Sequence, residues 1–174
     1  ATKEENIRVS KIAQMHSYKK LLNYEKTLSY ANKVLNLSGI EEELMVEALL
    51  NKGIAQKELL MYDEALITLN SCYKKTKSIL GAEAKYYYSE ILFLQANHTK
   101  CETSIMELVK QKPSYDYWIA KGIILLGRNY MAIEDYFNAK HSLQSVIDHY
   151  DGKDKAEIVS SAQKIIDEMI AIEN

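Results

Sequence analysis

The sequence predicts an all-α fold, a solenoid of four helical hairpins followed by a single capping helix. Three observations predict it. One Pro and six Gly in 174 residues leave little punctuation, which suits long helices and short turns and argues against a β-rich fold. Apolar residues recur at helical spacing through most of the chain. A set of small, aromatic and apolar residues also returns four times in phase. Its small slot holds Met15, Gly53, Ser89 and Gly127, which stand 38, 36 and 38 residues apart.

Taken in order, residues 6–38 form the first unit. Ile7, Ile12, Met15, Tyr18 and Leu22 mark its leading helix, and Leu28, Ala31, Val34 and Leu35 mark the second after a break at Asn23. Ser38 and Gly39 are stop signals. Residues 40–80 form the second unit. Glu41, Glu42 and Glu43 open its leading helix, where negative charge suits the helix dipole. A break at Leu60 and Met61 precedes Tyr62, and Gly81 closes the unit. Residues 82–113 form the third unit, with its break near Ala96 and Asn97; Pro113 ends it by removing a backbone donor. Residues 116–151 form the fourth, with Asp116 as cap of a helix from Tyr117 to Ala132, a break near Glu134 and Asp135, and a helix from Tyr136 to His149. Asp154 then caps a final helix over 154–172. That helix has one apolar face, Ile158, Val159, Ala162, Ile165, Ile166, Met169 and Ile170, and one polar stripe, as the exposed end of a stacked array requires. The whole chain reads as a single domain, 1–174.

Each repeated slot has a packing reason. Small residues at Gly53, Ser89 and Gly127 let the two helices of a pair touch. Twelve residues on stand Thr27, Ala65, Cys101 and Ala139, which face them. Tyr24, Tyr62, His98 and Tyr136 begin the second helices and wedge the turns. Ala31, Leu69, Ile105 and Leu143 are expected to fill the gap to the next pair.

With these residues in view, the chain resembles the tetratricopeptide repeat family, whose unit is about 34 residues with a small, aromatic, alanine and proline pattern. Gly53, Tyr62 and Ala65 match it in the second unit, and Gly127, Tyr130, Tyr136 and Ala139 in the fourth. Pro113 falls where the family places its closing proline. The first unit departs, with Met15 and Thr27 in place of the small pair. The resemblance covers about residues 6–151 and implies a right-handed α-α superhelix that binds protein. The YFNAKHSLQSVIDHY stretch is similar to the bacterial, envelope-associated branch, which implies a periplasmic or cell-envelope setting.

In such arrays the leading helices line a concave groove. Counting from the small slot, the residues expected there are Ile12, Leu50, Tyr86 and Ile124, then His16, Ile54, Glu90 and Arg128, then Lys19, Lys57, Phe93 and Met131. The expected groove is apolar, basic at its amino-terminal end, with Glu83 and Glu90 in the middle and Lys121 and Arg128 beyond. Tyr86, Tyr87 and Tyr88 span about 200° of a helix, so one hydroxyl must face outward, and Tyr86 is the one expected to do so. The function expected is a non-enzymatic scaffold that binds a peptide or partner protein in this groove. The alternative is an assembly module that self-associates through its first repeat as a homo-oligomer, because Val9, Ile12 and Leu21 lie outside a single apolar stripe. Some family members grip a carboxylate with paired Lys and Asn. Here His16, Ile54, Glu90 and Arg128 hold those positions, so that mode is not expected.

Other classes find no support in the residues. The formal net charge is −2, without the basic stripe that nucleic acid requires. The longest apolar candidate, Ile123 to Gly127, is far short of the roughly 20 residues that span a membrane. Opening on Ala1 rather than Met is what a fragment or mature form would show. Cys72 and Cys101 fall in apolar slots and read as buried free thiols. His98, Cys101 and Glu102 are spaced like part of a metal site, yet no second cluster completes it. No phosphate loop, nucleophile elbow or metalloprotease helix occurs, so no cofactor, metal or enzyme activity is expected. Trp118 beside Tyr115 and Tyr117 reads as core packing ahead of an interface anchor.

Overall fold

The structure, a computed structural model, describes residues 3–173. It is all-α, with nine helices and no strand among the described residues: α1 (Lys3–Lys20), α2 (Tyr24–Leu35), α3 (Glu42–Glu58), α4 (Tyr62–Lys75), α5 (Ile79–Leu94), α6 (His98–Lys110), α7 (Asp116–Ala132), α8 (Tyr136–His149) and α9 (Lys155–Glu173). Among the described residues, no helix is long and apolar enough to cross a membrane. The chain divides into two compact units, and the boundary falls inside α5, between Tyr88 and Ser89.

In the first unit α1 packs on α2, α2 on α3 and α3 on α4. Met15, Ala31, Val34 and Ala48 form one buried cluster, with Ile12, Tyr30, Leu35, Leu37, Ile40 and Leu44 against it. In the second unit α6 packs on α7, α7 on α8, and α9 on both α7 and α8. Its core joins Leu143, Val146 and Tyr150 to Ile158, Ala162, Ile165 and Ile166 of α9. The polar stripe of α9, from Glu157 through Lys164 to Glu168, is exposed. Helices packed on their sequence neighbours are what a helical repeat produces.

The breaks repeat in detail. Leu22, Leu60, Ala96 and Glu134 all take left-handed backbone, with φ of 53°, 61°, 55° and 60°. They stand 38, 36 and 38 residues apart, the register of the packing slots. At each break the next amide reaches back to close the preceding helix: Asn23 N to Tyr18 O, Met61 N to Gln56 O, Asn97 N to Leu92 O and Asp135 N to Tyr130 O, at 2.8–3.0 Å. A second bond runs from each left-handed residue, Leu22 N to Lys19 O, Leu60 N to Lys57 O, Ala96 N to Phe93 O and Glu134 N to Met131 O, at 2.9–3.1 Å. This pair of bonds is the Schellman motif, which satisfies carbonyls a helix end leaves open. The same amino-terminal residue then starts the next helix. Asn23 and Asp135 also cap it, each Oδ1 accepting from a backbone amide three residues on at 3.1 Å.

No glycine stands at any of these left-handed positions. Leu60 is 72% exposed, so little packing offsets its strain. An L-residue in this region costs about 1–2 kcal/mol, which glycine avoids at the expense of some chain entropy. Leu60→Gly is therefore expected to stabilise the first unit by about 1 kcal/mol, read as a raised urea midpoint.

Two boundaries differ from the sequence reading. Gly81, read as closing the second unit, lies inside α5, which begins at Ile79. A Cβ there would fall 2.6 Å from the Thr76 carbonyl oxygen, so this glycine permits a close approach and does not stop a helix. Asp116 is the first residue of α7, and Tyr115 is its N-cap. Asp154, read as the cap of the last helix, stands directly before α9, and its carbonyl accepts from Ile158 N at 3.0 Å as an N-cap carbonyl does. The other breaks fall where the sequence places them, except that Leu22, read as part of the leading helix, lies past the end of α1 in the turn.

Candidate binding surface

The packing slots carry the scaffold. Met15, Ser89, Thr27, Ala65, Cys101 and Ala139 are all buried, as are Ala31, Leu69, Ile105 and Leu143. Tyr24, Tyr62, His98 and Tyr136 are half-buried at the starts of their helices. The last apolar slot does more than fill the gap to a neighbouring pair. A Cβ at Gly53 would stand 2.6 Å from Leu69 Cγ, and one at Gly127 2.6 Å from Leu143 Cγ, so these leucines press on the glycines of their own pair. At the third position Ser89 Oγ donates to Ser104 Oγ at 2.7 Å, both buried.

The residues expected to form a groove divide into three rows. The row three before the small slot is the most enclosed. Leu50 is fully buried and Tyr86 is 7% exposed, which corrects the reading of Tyr86 as the outward-facing tyrosine. Tyr87 and Tyr88 are the half-buried members of that run. This slot lies on the interior face of the leading helices, so an apolar residue in it packs. Ile12 and Ile124 in the same row are half-buried against the cores of their units.

The other two rows keep access to solvent. In the first unit His16, Ile54, Lys19 and Lys57 are half-buried. His16 Nδ1 lies 3.4 Å from Glu47 Oε1, and Lys57 Nζ 2.8 Å from Glu58 Oε1 and 5.0 Å from the Tyr87 ring centre. In the second unit Glu90, Phe93 and Met131 are half-buried and Arg128 is exposed. Phe93 meets the His98 ring edge-on at 6.3 Å. Met131 packs against the core of that unit.

Several polar contacts were not legible from spacing. Asn129, nearly fully buried, lies 2.9 Å from His98 Nδ1 through its Oδ1, and its Nδ2 donates to the His98 carbonyl at 3.2 Å. Tyr130 donates to Glu102 Oε1 at 2.7 Å. Burial and then that bond push the Tyr130 hydroxyl up to about 12. Lys85 is buried with its Nζ 4.8 Å from the Tyr73 ring centre and 5.1 Å from that of Tyr88. A Lys placed three or four residues from a Tyr on one helix, as Lys121 and Tyr117 are, is the one sequence signal for such contacts.

Chemical groups are few. Cys72 and Cys101 are free and buried, and burial first, then the nearby Glu83 and Glu102 charges, push their thiols up to about 12, which favours the neutral form. No group of three His, Cys, Asp or Glu side chains among the described residues could hold a metal ion. Trp118 is buried and meets Tyr117 edge-on at 5.1 Å. Compared with known proteins, the chain matches no family model and no curated protein.

Proposed function

We propose that the chain is a tetratricopeptide-like interaction scaffold. In this reading four helical hairpins and a terminal capping helix wind as a right-handed superhelix, and the leading helices α1, α3, α5 and α7 present a surface to a peptide or partner protein. The observation that carries the reading is the return of one turn and one set of packing slots at 38, 36 and 38 residues. A repeated unit offers the same side-chain rows at regular intervals, which suits an extended or helical partner segment. The accessible rows, His16, Ile54, Glu90 and Arg128 with Lys19, Lys57, Phe93 and Met131, combine apolar contact with charges of both signs. Leu50 and Tyr86 act beneath that surface as its support. A bacterial envelope setting belongs to the same proposal and rests on the resemblance of the Tyr136 to Tyr150 stretch.

Site-specific cross-linking tests it. A photoreactive phenylalanine analogue at Ile54 or at Phe93 is expected to trap a protein partner in cells of the source. The same group at Ile67, 74% exposed on α4, is expected to trap none. Adducts from Ile67 alone would move recognition to the second helices and overturn the proposal.

A further inference from the structure

The two ends of the chain carry opposite charge. Residues 3–38 hold seven Lys and Arg against three Glu, whereas residues 134–173 hold four Lys against nine Asp and Glu. At the amino-terminal end three of these lysines rim a shaped surface. A depression of about 430 Å³ lies between α1 and α2, rimmed by Lys3, Lys11 and Lys33, with Ile7 and Tyr30 in its wall. Lys33 Nζ stands 4.0 Å from the Tyr30 ring centre, and Ile7 is about half exposed. Of the described side chains of α1 only Met15 is buried. At the other end, the last turns of α9 expose Asp167 and Glu168 together with Ile172, which is 60% exposed. Glu168 and Ile172 stand four residues apart, on one helical face.

We infer that the chain associates head to tail, the last turns of α9 of one copy seating in the α1–α2 depression of a second copy. Ile172 meets Ile7 and Tyr30, and the two carboxylates face Lys3 and Lys11. Like ends repel and unlike ends attract, so electrostatics orients the encounter. Exposed ion pairs contribute little by themselves, and the apolar contact supplies the remaining affinity. The contact joins unlike faces, so it builds a ring where the rotation closes and an open array where it does not, and association grows with concentration. The inference is independent of the peptide-binding proposal, because none of its residues belongs to the accessible rows of that surface.

Sedimentation velocity over a range of concentrations tests it, with the unmodified chain, Lys3→Glu/Lys11→Glu and Asp167→Lys/Glu168→Lys. The unmodified chain is expected to associate at low salt, and high salt is expected to weaken that association at least about tenfold. Each charge-reversed variant alone is expected to stay monomeric. Mixed together they are expected to associate, because the reversed end of each complements the reversed end of the other, and this recovery also shows that both are folded. An unmodified chain that is monomeric throughout would overturn the inference, including the case in which an unrelated acidic amphipathic peptide binds the depression. So would a reversed variant that still associates, or a mixture that does not.

Discussion

Gly127→Met is expected to destabilise the carboxy-terminal unit by about 3 kcal/mol or more, read from urea unfolding followed by circular dichroism. A Cβ at this position would lie 2.6 Å from Leu143 Cγ and 2.8 Å from its Cδ2, and Leu143 is fully buried. The added side chain would force α7 and α8 apart or drive Leu143 out of its rotamer. Glycine within a helix costs about 1 kcal/mol relative to alanine, so a helix that keeps one here gains more from the close approach than it loses. The first pair carries the same two slots with the volumes exchanged. Met15 occupies its small slot, and Ala31 occupies the slot that Leu143 fills in α8, both within one buried cluster. Gly127→Met combined with Leu143→Ala should therefore cost less than its two single variants added together. Leu143→Ala alone costs about 2–5 kcal/mol through the cavity it leaves. A coupling of about 1–3 kcal/mol is expected from the double-mutant cycle, and additive single effects would contradict the pairing.

Asn129→Leu is expected to cost about 2–3 kcal/mol, because Asn129 makes two bonds to one residue on a neighbouring helix. Its Nδ2 donates to the His98 carbonyl, so Oδ1 is the atom that faces the imidazole and Nδ1 must carry the proton. Leucine would leave that N–H part-buried without an acceptor. His98→Phe keeps a ring in the aromatic slot beside Phe93 but strands the Asn129 carbonyl. The double variant His98→Phe/Asn129→Leu replaces both polar groups with apolar ones and is expected to regain much of the loss, since pairwise removal avoids an unsatisfied group. Thermal or urea unfolding of the four chains gives the cycle. A double variant as unstable as the sum of the singles would show that the contact does not hold α6 to α7.

The positions of the turns were legible because the physics there is local. Asn23, Met61, Asn97 and Asp135 follow the last apolar residue of one helical stripe and precede an aromatic that starts the next, so period and punctuation agree. The slot alignment was legible for the same reason, since Gly53 and Gly127 can only be small where another helix touches them. The exchange of Met15 and Ala31 was present in the same alignment as a reversal of volumes, but one slot read alone shows only a departure. Tyr86 was misread because three consecutive tyrosines have no internal asymmetry; which one is buried depends on the packing around the helix. Leu50, in the same slot, held the clue that this row faces inward. Gly81 was misread because a glycine that admits the Thr76 carbonyl looks the same in sequence as one that ends a helix. The Asn129–His98 contact joins residues 31 apart on different helices, a separation that periodicity within one helix does not reach.

The proposed function rests on one structural unit repeated four times, and the backbone angle at the four turns tests that most directly. Nuclear magnetic resonance of the labelled chain, through backbone chemical shifts and scalar couplings, reports φ at Leu22, Leu60, Ala96 and Glu134. The account predicts left-handed backbone at all four, with the amides of Asn23, Met61, Asn97 and Asp135 protected from hydrogen exchange by their bonds to the preceding helix. A negative φ at any of the four, or free exchange of the amide beside it, would remove that turn from the series and contradict the repeat.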